Sequence, residues 1–83
     1  MIDVLYFAWL RERIGIPKER IETQAATVAD LIAELKGRSE AHALAFADLT
    51  SVRAALDQEL VEDFSAPLSG AREVAFFPPM TGG

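Results

Sequence analysis

Near the start of the chain, Ile2, Val4, Tyr6 and Ala8 fall on one side of an extended backbone, and Leu5, Phe7 and Trp9 on the other. Both sides are apolar beyond Asp3, which predicts a strand over 2–9 that is either covered on both faces or keeps one face for a partner. Leu10 to Ile14 suits a short helical turn ended by Gly15 and Pro17. Residues 18–25 set Ile21 among Lys18, Glu19, Arg20, Glu22 and Thr23, a pattern expected of a charged edge strand. The Ile14-to-Lys18 link suits a hairpin with the first strand.

A different period begins at Thr27. Val28, Leu31, Ile32 and Leu35 make one apolar stripe on a helix, with Asp30 and Glu34 facing away. Thr27 and Asp30 form a Thr-x-x-Asp capping box, Lys36 suits the last turn, and Gly37 is a natural C′ residue, just past the helix end. Over 40–49, Ala41, Leu44, Ala45 and Leu49 fit a short helix, with Phe46 also available to the core. His42 is the sole histidine and stands beside ordinary carboxylates, which gives neither a metal site nor a catalytic pair and predicts a surface position. Val52 to Leu56 reads as a strand, and Asp57-Gln58-Glu59 as a tight turn into Leu60-Val61. Pro67 to Gly70 is a loop, and Val74 to Phe77 a last, buried strand. The order β-β-α-β-β, with the last strand returning beside the first, implies an α+β fold: a mixed sheet of about five strands packed on one main helix.

Composition narrows the function. Eighty-three residues, 51% of them hydrophobic, make a single domain, 1–83, with apolar residues to spare for an interface. The net charge of −5 and the lack of a Lys/Arg cluster argue against a nucleic-acid partner. There is no cysteine, hence neither a disulfide framework nor thiol chemistry. No basic region precedes an apolar stretch at the N-terminus, and no apolar run reaches membrane-spanning length. The expectation is a cytoplasmic protein without a membrane partner.

The chemistry is sought in the last ten residues, Val74-Ala75-Phe76-Phe77-Pro78-Pro79-Met80-Thr81-Gly82-Gly83. Pro78 and Pro79 lack backbone donors, so they end the ladder and stiffen an extended exit. The tail 78–83 is either a frayed end or a projecting arm whose terminal carboxylate is the working group. Gly82 and Gly83 have no Cβ and would let such an arm thread a narrow channel. A strand at its root would lock the arm to the core, and the prolines would aim it outward.

Val-Ala-Phe-Phe-Pro-Pro-x-Thr-Gly-Gly resembles the C-terminus of the small subunits of molybdopterin synthase, a family of ubiquitin-like sulfur carriers. Val4-Leu5-Tyr6-Phe7-Ala8, followed by Arg11-Glu12 and Gly15, is similar to that family's first strand and turn. The similarity is greatest over 73–83, extends to 2–15, and is least over about 38–50. Gly-Gly is shared by every ubiquitin-like carrier, whereas Phe-Phe-Pro-Pro is far more selective. Two departures stand out: Asp57 replaces a family Asn, and Ala71-Arg72-Glu73 replaces Gly-Asp-Glu, with Gly70 one place earlier.

The resemblance implies a β-grasp fold and a catalytic role for the Gly83 carboxylate. A carboxylate is a poor electrophile and must first become an acyl-adenylate. This chain has no phosphate-binding loop, so ATP would be used by a separate adenylating and sulfur-loading enzyme, and no cofactor or metal would be bound here. The thiocarboxylate on Gly83 would then donate sulfur to a pterin precursor in the active site of the large subunit, in a heterotetramer. Gly82 and Thr81 would serve access to that site. The resemblance also places hydrophobic large-subunit contacts on Phe7, Leu60 and Phe77. If Val74 and Phe76 enter the core, Phe77 emerges on the side of the sheet without a helix, where it and Phe7 would form an apolar patch. The alternative is that these are ordinary core residues. Rival functions are a sulfur carrier for thiamine or another pathway, a protein modifier joined through Gly83, and an interaction domain with an inert tail. The thiamine type is usually shorter and lacks Phe-Phe-Pro-Pro. Isopeptide-linked adducts would mark a modifier, and indifference to deletion of Gly83 an inert tail.

Overall fold

The computed structural model describes residues 1–79. Along the chain these form β1 (Ile2–Tyr6), α1 (Ala8–Ile14), β2 (Lys18–Ile21), α2 (Val28–Lys36), α3 (Glu40–Ala45), a 3₁₀ turn (Leu49–Ser51), β3 (Arg53–Leu56), β4 (Glu59–Leu60) and β5 (Glu73–Phe77). The sheet order is β2-β1-β5-β3-β4. β1 and β5 run parallel at its centre, and the other neighbours are antiparallel. This is the expected mixed sheet with the last strand beside the first. A parallel neighbour requires a crossover, and residues 22–72 supply it, carrying α2 and α3.

The helices cover one face. Ile2, Val4, Tyr6, Ala54, Val74 and Phe76 point into a core completed by Leu10, Val28, Leu31, Ile32, Leu35, Phe46 and Val52. The predicted stripe of α2 is buried as a unit. Phe76 packs edge-on against Phe46, with ring centroids 5.0 Å apart, and stacks with Tyr6 at 6.4 Å. Such pairs add direction to apolar burial.

Several local expectations are corrected. β1 stops at Tyr6 because Ala8 turns to φ 53°, so Trp9 belongs to α1 and not to a strand face. β1 and β2 do pair, with α1 lying in their connection. β2 ends at Ile21, short of residue 25. Thr27 caps α2 by accepting the Asp30 N–H at 3.1 Å, but the reciprocal bond from Asp30 does not form. Instead the Val28 and Ala29 N–H groups donate to the carbonyls of Ala66 and Phe64 at 3.0 and 2.8 Å, which docks the 64–68 loop on the helix start. Gly37 is right-handed, φ −82°, because the chain continues through Arg38 directly to the Ser39 cap of α3. The turn after β3 has two residues, Asp57 and Gln58 at φ 49° and 72°, and Glu59 already pairs in β4.

His42 is the largest correction. It lies buried, its Nε2 2.8 Å from Glu19 Oε2 and its Nδ1 2.7 Å from Ser39 Oγ. Tyr6 donates to the same Glu19 oxygen at 2.7 Å, and Arg38 lies 3.3 Å from the other. The ionised carboxylate only accepts, so Nε2 carries hydrogen and Nδ1 accepts from Ser39. Tyr6, on β1 beside β2, supplies the apolar shelter that makes an edge-strand glutamate a semi-buried partner.

Candidate functional site

The uncovered face of the sheet follows from strand alternation. Val74 and Phe76 are fully buried under the helices, so Ala75 and Phe77 emerge on the opposite side. Cross-strand register then builds a row across it: Leu5 opposite Ala75, Ala75 opposite Ala55, and Ala55 opposite Leu60. Phe7, 45% exposed, meets Phe77, Ala75 and Pro78 around one apolar groove. Leu60, 65% exposed, stands at the far end of the row on the edge strand β4.

The three predicted contact residues therefore share one face, and Phe7 and Phe77 line the same groove on it. None of the three is a core residue. Thr81, Gly82 and Gly83 lie outside the described residues. Ala55, Ala75 and Pro78 were not singled out from the sequence as part of this surface. The two alanines keep its floor low between Leu5 and Leu60, and Pro78 helps to wall the groove at the point where the chain leaves β5. Their signal was available only through register, because a small residue opposite a small residue makes a flat patch and neither position is informative alone.

The groove is held at both ends by the backbone. The Phe7 N–H donates to Phe76 O at 3.0 Å, tying the residue after β1 to the end of β5. At the start of β5, Asp57 Oδ1 accepts the N–H groups of Arg72 and Glu73, each at 3.0 Å, and the Asp57 N–H donates to Glu73 O. The Asp-for-Asn departure thus retains the oxygen that the turn uses. Gly70, at φ 81°, occupies the third position of a turn closed by Ala71 N–H to Leu68 O, which absorbs the earlier placement of this glycine.

Charge flanks the apolar row and does not enter it. Arg53 lies opposite Phe77, its guanidinium donating to the carbonyl oxygens of Val52 and Thr50 at 3.1 and 3.4 Å. Asp3 accepts from Arg20 Nε at 2.8 Å, and that hydrogen bond holds its carboxyl below the usual value. Among the described residues no group of acidic, histidine or cysteine side chains could hold a metal ion, and no helix is long and apolar enough to cross a membrane.

The ThiS family model matches residues 4–83. The chain belongs to the ThiS family. It is 42% identical to the molybdopterin synthase sulfur carrier subunit of Escherichia coli (strain K12), and 37% identical to that of Haemophilus influenzae, in each case over 83 residues that cover both chains completely. Among solved structures it is similar to SAMP1 from Haloferax volcanii, with a TM-score of 0.73 and 25% identity over 99% of this chain and 98% of that one. It is equally similar in fold to molybdopterin converting factor subunit 1 from Pyrococcus furiosus, with a TM-score of 0.73 and 31% identity over 95% of this chain and 97% of that one. The fold is thus the ubiquitin-like one expected. As in any such mixed sheet with helices on one side, this ThiS-family chain has one face left to offer a partner, and here that face is apolar beside the root of the tail.

Proposed function

We propose that this chain is the sulfur-carrier small subunit of molybdopterin synthase, working in the cytoplasm with a large subunit and a separate activating enzyme. One observation carries the reading: 42% identity to a named sulfur carrier subunit over every residue of both chains, up to the final Gly-Gly. The placement of an apolar groove at the exit of β5 supports it, because a partner that grips this groove receives the tail in a defined direction.

The Gly83 carboxylate attacks the α-phosphorus of ATP on the activating enzyme, forming the acyl-adenylate and releasing pyrophosphate. A sulfide donor attacks the carbonyl carbon and AMP leaves, so that one carboxylate oxygen is replaced by sulfur. The thiocarboxylate sulfur then displaces an oxygen leaving group from an electrophilic carbon of a pterin precursor bound to the large subunit, the C–S bond forming as the C–O bond breaks, and water cleaves the resulting thioester, leaving a thiol on the pterin and returning the Gly83 carboxylate. In this scheme the chain contributes the reacting terminus and its aim, and the large subunit contributes the acids and bases. Phe7, Leu60 and Phe77 form the docking face, and Thr81 and Gly82 give the slim approach.

Intact-mass measurement after incubation with ATP, a sulfide source and cytosolic extract of the host tests the reading. The expected result is an oxygen-to-sulfur mass increase that maps to the Gly83 peptide. An unchanged mass, in an extract that loads a known carrier, overturns it.

A further inference from the structure

The open face of the sheet departs in charge from the chain as a whole. By strand alternation its charged positions are Lys18, Arg20 and Arg53 against Asp3 and Glu73, so it holds three of the chain's eight basic residues but two of its thirteen acidic ones. Register sorts these charges by level. Asp3 and Glu73 lie side by side at the end far from the tail, and Arg20, opposite Asp3, binds its carboxylate at 2.8 Å. Lys18 lies one level nearer the tail, opposite Leu5, and extends the row of Leu5, Ala75, Ala55 and Leu60. Arg53 lies at the root of the tail, opposite Phe77. The levels that hold the three contact residues therefore contain two cations and no acidic residue at a strand position. Both cations are exposed, and neither forms an ion pair among the described residues. Glu62 and Asp63 share a cavity with Arg53 but do not pair with it. Arg53 is also pre-set: one Nη donates to the carbonyl oxygens of Val52 and Thr50, and Nε and the other Nη bond to no group among the described residues. A guanidinium held in this way suits a carboxylate taken by two parallel bonds.

We propose that Lys18 and Arg53 are the specificity-determining cations of the docking face, and that the large subunit meets them with carboxylates set around the apolar surface that takes Phe7 and Phe77. This rests on the sulfur-carrier reading and on the docking face proposed above. Charge complementarity selects the partner's chemistry. A net charge of −5 favours a basic partner if charge acts only as a sum, but the levels that are buried on docking present cations. A basic rim would set like charges against Lys18 and Arg53 beside an apolar centre, which is repulsive, whereas carboxylates there attract and exclude wrong partners. The two cations stand on β2 and β3, flanking the central pair of β1 and β5 that leads to Phe7 and Phe77. Two ion pairs on either side of the groove define one rotation of the partner about it, and hence the direction in which the tail enters.

The test titrates the parent, Lys18→Glu, Arg53→Glu, Arg53→Lys, Lys36→Glu and Phe77→Asp calorimetrically with the purified large subunit of molybdopterin synthase from the same organism, in low and high salt, alongside thermal melts. Each of Lys18→Glu and Arg53→Glu is expected to bind roughly three- to tenfold more weakly in low salt, as an exposed ion pair gives way to a like-charge contact. In high salt the deficit is expected to shrink to within about twofold, because exposed charges are screened. Arg53→Lys keeps the charge and Lys36→Glu changes it on α2, away from the open face, so both are expected to bind within about twofold of the parent. Parent-like or tighter binding by the Lys18→Glu and Arg53→Glu variants, with Phe77→Asp defective, overturns the cation role and leaves the docking face standing. A deficit that persists in high salt, or that Arg53→Lys shares, shows a merely structural role and overturns it. An equal deficit in Lys36→Glu assigns the effect to net charge and overturns it as well. Undiminished binding by a folded Phe77→Asp overturns the docking face, and the inference with it. Failure of the parent chain to bind overturns the sulfur-carrier reading itself.

Discussion

Phe76 and Phe77 are adjacent and chemically identical, and the pleat sends them to opposite fates. Phe76 is fully buried against Phe46 and Tyr6, whereas Phe77 lines the open groove. Phe76→Ala is expected to cost about 3–5 kcal/mol of stability, the usual loss for a buried aromatic ring, as read by urea denaturation. For a chain with so small a core, that is a large share of the total. Phe77→Asp is expected to leave the fold intact and to weaken large-subunit binding by about thirtyfold or more, the effect of losing a central apolar anchor worth about 2 kcal/mol. Calorimetric titration against the large subunit checks it, and a parent-like affinity would remove Phe77 from the interface.

Among the elements, the β3–β4 hairpin shows how a turn can serve a strand it does not belong to. Asp57 and Gln58 both have positive φ, as a two-residue turn of type I′ requires, although neither is glycine. The turn is held by its contact with β5, where one Asp57 oxygen receives two backbone N–H groups. Asp57→Asn keeps that oxygen and tolerates the left-handed backbone, so its stability is expected to stay within about 0.5 kcal/mol of the parent. Asp57→Ala loses both the acceptor and the conformational tolerance and is expected to cost about 1–2 kcal/mol. Equal melting temperatures for the parent and Asp57→Ala would contradict this account.

Across the whole molecule, Glu19 fastens the edge strand β2 to the helical layer through Tyr6, His42 and Arg38. Burial by itself would raise the Glu19 carboxyl, but hydrogen bonds from His42 and Tyr6, with the Arg38 charge, hold it below its ordinary value of 4.5. The phenol of Tyr6 is pushed up by burial and by the same carboxylate, so it remains a donor. A depressed folded-state value means that the stabilisation is present above about pH 4.5 and is lost as the pH falls through the lowered value. Glu19→Gln is expected to cost about 1–3 kcal/mol near neutral pH, because charge-assisted bonds become neutral ones. It is also expected to flatten the acid limb of the stability profile between pH 5 and 2, measured by urea denaturation. Some slope should remain, since Asp3, Asp48 and Asp63 are also held low by hydrogen bonds from Arg20, Thr50 and Ser65. An identical slope in the variant would rule out Glu19 as the main source.

Local pattern was enough for the parts that depend on neighbours along the chain. The stripe of α2, the Thr27 cap, the apolar strands at both ends and the stop at Pro78 each follow from period, side-chain chemistry or a missing donor. The burial of Val74 and Phe76, and with it the emergence of Phe77, also followed once one face of β5 was given to the core. What depends on contacts distant in sequence needed the tertiary structure. His42 and Glu19 are 23 residues apart, and only the packing of α3 against the sheet turns two ordinary polar residues into a buried pair. The early end of β1 at a left-handed alanine contradicts strand propensity, and the buried Tyr6 and Leu10 impose it. The flat floor of Ala55 and Ala75 exists only through register, which the sequence pattern does not count residue by residue. The residues on the open face were therefore legible as types, while their assembly into one groove was decided by which strands lie side by side.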